Sequence, residues 1–407
     1  QPVKSGGVVV PKPKMFEKPA GVKDLLPEAL EKLRSIESRV LECMRRWGYS
    51  EIMTPTLEFY DTVGTVSSTS DHKLFKLLDR DGTTLVMRPD MTSPIARVVA
   101  SLLKDQPFPI RLSYHANVFR ALEKEAGRES EFYQTGVELV GDKTADADAE
   151  IVALAISALK AAGVRDFNIA LGHVGFLNGL LDENLPDLPE TQSVLKECLM
   201  IRDYVGYRNV LAGLGLEAEA RNRLEGILQL QGDEEVCLRA QALTANEQAL
   251  KAIRHLREVW EILGAYDVTG HVSFDLTMIG NFSYYTGMIF EGYAAGHGFP
   301  VASGGRYDNL LAQFGRPAPA TGFALKTNRI MEIAQPETGK EPQRTLVVYA
   351  PHRRAEAIRY AAELRAKERT VETRRLEAVA RGNVVQPTEG GGYIVNGVRY
   401  AHVAEFI

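Results

Sequence analysis

Leu30, Leu33, Ile36, Val40 and Met44 recur at the spacing of one helical face, which predicts a helix from Pro27 to about Arg46. Gly48-Tyr49 closes it, and Glu51–Thr54 reads as a strand stopped by Pro55. Phe75–Leu78 and Thr84–Met87 flank Asp81-Gly82, a hairpin signal because that pair accepts the positive φ of a tight turn. Ser93, as N-cap with Pro94 behind it, starts a helix running to about Lys104. Strands are expected at Ile110–Tyr114, Val118–Arg120 and Phe132–Val140, with a charged loop at Ala121–Ser130. Residues 147–162 predict an Ala-rich amphipathic helix, Phe167–Leu171 a strand, and about 176–264 only helices, an inserted helical segment. Strand character returns at Val272–Met278 and Tyr284–Glu291, and Ser303-Gly-Gly305 reads as a glycine turn before a helix. Beyond a linker at 336–344, Thr345–Ala350, Ala355–Lys367 and Val371–Leu376 form a β-α-β pattern, followed by a hairpin about Asn396-Gly397. Adjacent, hairpin-linked strands flanked by helices predict an α+β fold.

The domain plan is therefore a flexible tail over 1–15, a main domain over 16–335, the linker, and a small α/β domain over 345–407. A length of 407 residues agrees, since single cores rarely exceed about 250–300 residues. Lys and Arg number 48 against 53 Asp and Glu, a net charge of −5 that carries no polyanion-binding footprint. Cys43, Cys198 and Cys237 lie far apart, so neither a zinc spacing nor a disulfide framework is expected. His72, His115 and His297 have no metal-ligand partner one helical turn away, and no cofactor motif stands out. No apolar run reaches membrane-span length and no secretory leader is evident, which predicts a cytoplasmic protein.

The chemistry begins on the long strand. Side chains alternate between faces, so Tyr133, Val137 and Leu139 share one face while Gln134, Gly136 and Glu138 share the other. Taken alone, such a polar face is as well explained by solvent. Neighbouring segments carry Arg88, Asp90, Arg120 and Tyr284-Tyr285 amid apolar sequence. If these strands pair, the face becomes a pocket of carboxylates, an amide, arginines and phenols, a set suited to an amino-acid ligand.

Three stretches in order, Gly48-Tyr49 with Pro55, Phe119-Arg120 through Gly127-Arg128 to Phe132, and Gly322-Phe-Ala-Leu325 with Arg329, resemble the three motifs of class II aminoacyl-tRNA synthetases. Arg88-Pro-Asp-Met-Thr92, Tyr284-Tyr-Thr-Gly287 with Phe290-Glu291, and Gly304-Gly-Arg-Tyr-Asp308 resemble the histidyl branch of that class. The resemblance spans most of residues 16–335 and implies an antiparallel synthetase-like sheet flanked by helices. It implies histidine contacts at Asp90, Thr92, Arg120, Gln134, Glu138, Tyr284 and Tyr285, backbone approach to the imidazole at Gly304 and Gly305, and anion contacts at Arg128 and Arg329.

Departures from the synthetase pattern surround the nucleotide side. Gly280 stands where an activating arginine is expected, Leu122 where a glutamate reads adenine, Lys326 where a glycine leaves room, and Asn328 where a glutamate precedes the last arginine. Losing one donor aimed at a transferring centre typically costs about 10²–10³ in rate. Kept recognition with lost activation is similar to the regulatory subunit of ATP phosphoribosyltransferase. That family implies no catalysis by this chain. It also implies a short-form catalytic partner, histidine as allosteric effector, homodimers within a hetero-oligomer, and no tRNA. The C-terminal segment resembles a shortened anticodon-binding domain, but its nine Lys/Arg and five Glu between Arg353 and Arg381 interleave as on a solvated helix face. The alternatives are an active histidyl-tRNA synthetase and an RNA-binding synthetase-like module.

Overall fold

The computed structural model describes residues 17–121, 129–280, 285–335, 344–375, 386–387, 391–395 and 397–407. The predicted tail, Leu122, Arg128, Tyr284 and nearly all of the predicted linker lie outside the described residues. The chain divides into two compact units, Gln1–Gln335 and Pro336–Ile407.

The first unit is built on a nine-stranded sheet in the order Ser50–Glu51, Ile110–Phe119, Glu131–Val140, Ala320–Lys326, Ala302–Arg306, Met288–Ala294, Phe167–His173, Val272–Asp275 and Gln231–Gly232. From Ile110–Phe119 across to Phe167–His173 every neighbouring pair is antiparallel. One face packs on helices Pro27–Arg46, Ala145–Ala161 and Glu247–Ala265, whose apolar residues join the largest core cluster. The other face is covered in part by helix Thr92–Ala100 through Met91, Ile95 and Val99, together with Tyr307, Leu310 and Leu311. What that second layer leaves open is the candidate site.

Helix Pro27–Arg46 starts and ends as expected, its buried stripe being Leu33, Ile36, Val40 and Met44. The Asp81-Gly82 hairpin forms between Lys76–Leu78 and Thr84–Met87, with Gly82 at φ 81°. The inserted segment is helical from Val174 to Ala265 apart from short 3₁₀ and strand pieces, Leu195, Tyr207, Leu224 and Leu256 being fully enclosed.

Five expectations need correction. The two strands predicted over 110–120 are one strand, Ile110–Phe119, because its polar interruptions are satisfied across the sheet. His115 Nδ1 meets Thr135 Oγ1 at 2.7 Å, and Asn117 donates to Glu131 at 2.8 Å. The strand predicted over Glu51–Thr54 pairs only at Ser50–Glu51. Helix Thr92–Ala100 begins before Ser93 and is capped from outside by Asp90, whose Oδ1 accepts the Ser93 N–H at 2.9 Å. Ser303-Gly-Gly305 is not a turn but the middle of strand Ala302–Arg306. Finally, helix Ala145–Ala161 is enclosed on nearly every side rather than amphipathic, because its alanines let it sit between the sheet and two other helices.

The second unit places Arg344–Tyr349 between two parallel neighbours, Thr370–Arg375 and His402–Phe406, with helix Arg354–Ala366 as the crossover. The final strand His402–Phe406 was absent from the sequence reading. Among the described residues no helix is long and apolar enough to cross a membrane.

Candidate amino-acid site

The register of five adjacent strands assembles the site. Leu112, Glu138, Gly322, Gly305 and Ile289 form one row across the sheet, and Tyr114, Gly136, Ala324, Ser303 and Glu291 form the next. Ala116, Gln134 and Lys326 begin a third. Above these rows lies a cleft lined by Asp90, Thr92, Arg120, Gln134, Glu138 and Tyr285, with Tyr114, Ser303 and Tyr307 completing its polar walls. Of the predicted contacts, these six meet in one cleft.

Glu138 is its most constrained group, 2% exposed. Thr92 Oγ1 donates to its Oε1 at 2.8 Å, and the Tyr307 hydroxyl donates to its Oε2. Burial pushes the carboxyl up to about 8, assisted by the Asp90 charge, while the hydrogen bonds from Tyr307 and Thr92 pull the other way. Asp90 is also buried and is engaged at both oxygens, by the Ser93 N–H and by Ser67 Oγ at 2.6 Å. Arg120 also reaches the lining, its Nε donating to Pro89 O at 2.9 Å, next to Asp90, and its guanidinium lying over the Phe132 ring at 5.3 Å. The cleft thus brings carboxylates and a guanidinium within one lining, the two charges a zwitterion requires.

Other predicted residues fall elsewhere. Gly304 faces the core, where a Cβ would strike Gly322 O and the Phe290 ring, so its bareness serves strand packing. Gly305 does face the cleft side, where a Cβ would lie 2.9 Å from Tyr285 Cε1, so its bareness seats that ring. Arg329 donates to Pro300 O at 2.8 Å and lies over Phe299 at 5.0 Å, near but outside the cleft lining. Arg88 holds Thr54 O and Asn117 and is structural. Asn328 joins Glu129 at 2.8 Å to the Tyr133 N–H at 2.8 Å. Gly280 has φ 77°, and a Cβ there would lie 3.2 Å from the Tyr285 ring, so any side chain at that position is strained.

Gly322 is a packing determinant of the floor. A Cβ there would collide with the Glu138 carboxylate and Val137 O. Gly322→Ala is expected to lower stability by about 1–3 kcal/mol in urea unfolding, the usual cost of overpacking.

The histidyl-tRNA synthetase family model matches residues 21–330. The chain is 46% identical over 375 residues to the ATP phosphoribosyltransferase regulatory subunit of Bacillus licheniformis, covering 92% of this chain and 95% of that one. The chain belongs to the ATP phosphoribosyltransferase regulatory-subunit family. The Bacillus subtilis member is 45% identical over 376 residues, again covering 92% and 95%. A crystal structure from Bacillus halodurans, described as an ATP phosphoribosyltransferase regulatory subunit/histidyl-tRNA synthetase, covers 97% of this chain and 99% of its own at 41% identity and a TM-score of 0.87. The fold of this family member is thus histidyl-tRNA synthetase-like, a mixed α+β arrangement around a largely antiparallel sheet.

Sequence reasoning did not assign Tyr307, Ser67, Tyr114 or Ser303 to the site. Tyr307 had a signal, because it lies in the quoted Gly304–Asp308 stretch and strand alternation sets it opposite buried Arg306. Ser67 had none: its link to Asp90 depends on a loop path.

Proposed function

We propose that this chain is a non-catalytic subunit of ATP phosphoribosyltransferase, required for that enzyme's activity and conveying feedback by histidine. The observation that carries the reading is the charge layout of the cleft. Asp90 and Glu138 suit an ammonium group, Arg120 suits a carboxylate, and the phenols of Tyr307 and Tyr285 suit a polar ring. The names of relatives at 46% and 45% identity support a catalytic ATP phosphoribosyltransferase chain as the partner, and the sequence resemblance implies its short form. Asp90, Thr92, Arg120, Gln134, Glu138, Tyr284 and Tyr285 are the proposed histidine contacts, and the assembly contains homodimers of this chain. Sensing then couples two sites, typically by about 1–3 kcal/mol.

Against adenylation stand Gly280, where a cationic side chain is strained, and Lys326, placed where a synthetase needs space. The test is co-expression with a short-form catalytic chain. The two are expected to co-purify, phosphoribosyl transfer is expected to depend on this chain, and histidine is expected to inhibit it. Robust histidine-dependent ATP–pyrophosphate exchange by this chain alone would sink the proposal in favour of a synthetase.

A further inference from the structure

Lys326 is the half-buried cation that neither the fold nor the contacts above account for. It ends strand Ala320–Lys326 and pairs with Gln134, so its side chain rises on the same face as Ala324 and Gly322. Ala324 and Gln134 both line the cleft, and Lys326 stands two residues, about 7 Å, beyond Ala324 along the strand. A flexible four-carbon stem spans that gap. Its backbone N–H is taken by Val301 O at 2.8 Å, yet its ammonium makes no hydrogen bond or ion pair among the described residues.

Its charged neighbours are mostly positive. Arg329 and Arg120 repel the ammonium, and Glu291 alone attracts it. Glu291 is already engaged by the Tyr293 hydroxyl, which in turn accepts from Arg202 at 2.9 Å. Burial, reinforced by Arg329 and Arg120, pushes the lysine down to about 8. Among the described residues Lys326 thus has two cationic neighbours and one carboxylate that is already engaged, a setting that favours an anion. Glu138 stands two same-face rows away from Lys326, so an amino acid whose ammonium group meets Glu138 has its carboxylate toward Lys326.

We infer that Lys326, together with Arg120, holds the α-carboxylate of the bound amino acid, a positive charge supplied from strand Ala320–Lys326 because position 280 has no room for one. The inference rests on the histidine reading above and names a further contact within it. Without the lysine, the carboxylate faces one cation rather than two. The consequence is specificity: ligands lacking a carboxylate gain nothing from Lys326.

Calorimetric titration of the full chain with L-histidine and with L-histidinol, whose carboxylate is replaced by an alcohol, tests it. The unmodified chain is expected to prefer histidine over histidinol by about tenfold or more, the usual worth of a charged hydrogen bond. Lys326→Met should weaken histidine by that factor, leave histidinol unchanged and collapse the ratio, while Lys326→Arg should keep it. An unchanged histidine-to-histidinol ratio in a folded Lys326→Met chain overturns the assignment. So does loss of ATP binding with that ratio intact, which would make the lysine a phosphate contact. If the unmodified chain binds neither ligand, the histidine reading itself fails, and the lysine assignment with it.

Discussion

Asp148→Ala is expected to lower folding stability by about 3–5 kcal/mol in urea unfolding, the cost of removing one partner from a buried charge pair. Asp148 lies in the first turn of helix Ala145–Ala161 and is completely enclosed. Its Oδ2 accepts from His255 Nε2 at 2.8 Å and from Arg306 Nε at 2.9 Å, tying the helical insertion to the central sheet. Burial works to raise this carboxyl, but the His255 hydrogen bond and the Arg306 guanidinium outweigh it and hold it below the usual aspartate value. Beside the pair, His173 accepts the Gly175 N–H at 3.0 Å through Nδ1, capping helix Val174–Asn184, and its ring meets His255 edge-on at 5.5 Å. That acceptor role requires a neutral ring, and burial with the His255 charge pushes His173 down to about 3.

Both shifts have the same sign of consequence. A depressed folded-state pKa contributes stability above the unfolded value and loses it as pH falls toward the folded one. For His173 that window runs from 6.5 down to about 3, and for Asp148 it lies below the ordinary aspartate value of 3.8. The contribution of these two groups should therefore decline from pH 6.5 downward, and His173→Asn, which keeps a capping acceptor without the titration, should remove the His173 share of that decline. A urea midpoint for Asp148→Ala equal to that of the unmodified chain would show that Arg306 is satisfied by its bonds to Asp142 O, Thr144 O and the Asp308 carboxylate.

This cluster marks where the sequence stops informing. Period-two alternation was enough to put Gln134, Gly136 and Glu138 on one face, because a strand carries its own geometry. Helical spacing likewise found Pro27–Arg46, and the Asp-Gly and Asn-Gly pairs located two hairpins. No such local rule connects Asp148, His255 and Arg306, which meet only once three distant elements pack. Ser303-Gly-Gly305 misled for a related reason. Glycine signals a turn when only chain flexibility is considered, yet at 304 and 305 the missing side chains let strand Ala302–Arg306 lie against Phe290 and Tyr285. Register decided the rest. That Lys326 stands beside Gln134, and Gly322 beside Glu138, follows from pairing between strands nearly two hundred residues apart in the chain.

Glu138→Gln is expected to reduce histidine affinity on the order of a hundredfold above pH 8 and to abolish proton release on binding. Burial holds the Glu138 carboxyl at about 8, so near neutrality it carries its proton. A cationic group arriving against it favours the carboxylate, and binding at pH 7 should then release on the order of one proton per site. Titrations in buffers of different ionisation enthalpy read that release directly. The same shift fixes this group's share of the stability profile. A folded-state value raised from 4.5 to about 8 means that the unfolded chain gives up this proton first as pH rises. The Glu138 contribution is therefore full below 4.5 and is lost progressively up to about 8, at about 1.4 kcal/mol per unit, opposite in sign to that of His173 and Asp148. The amide carries no such proton, so Glu138→Gln should be the more stable of the two empty proteins above pH 8 while being the weaker binder. That opposition separates a site held under electrostatic strain for its ligand from a carboxylate that merely packs. If the substitution lowered stability and affinity together at every pH, and binding heats were the same in all buffers, Glu138 would be a packing residue, and the ammonium contact would have to be carried by Asp90 alone.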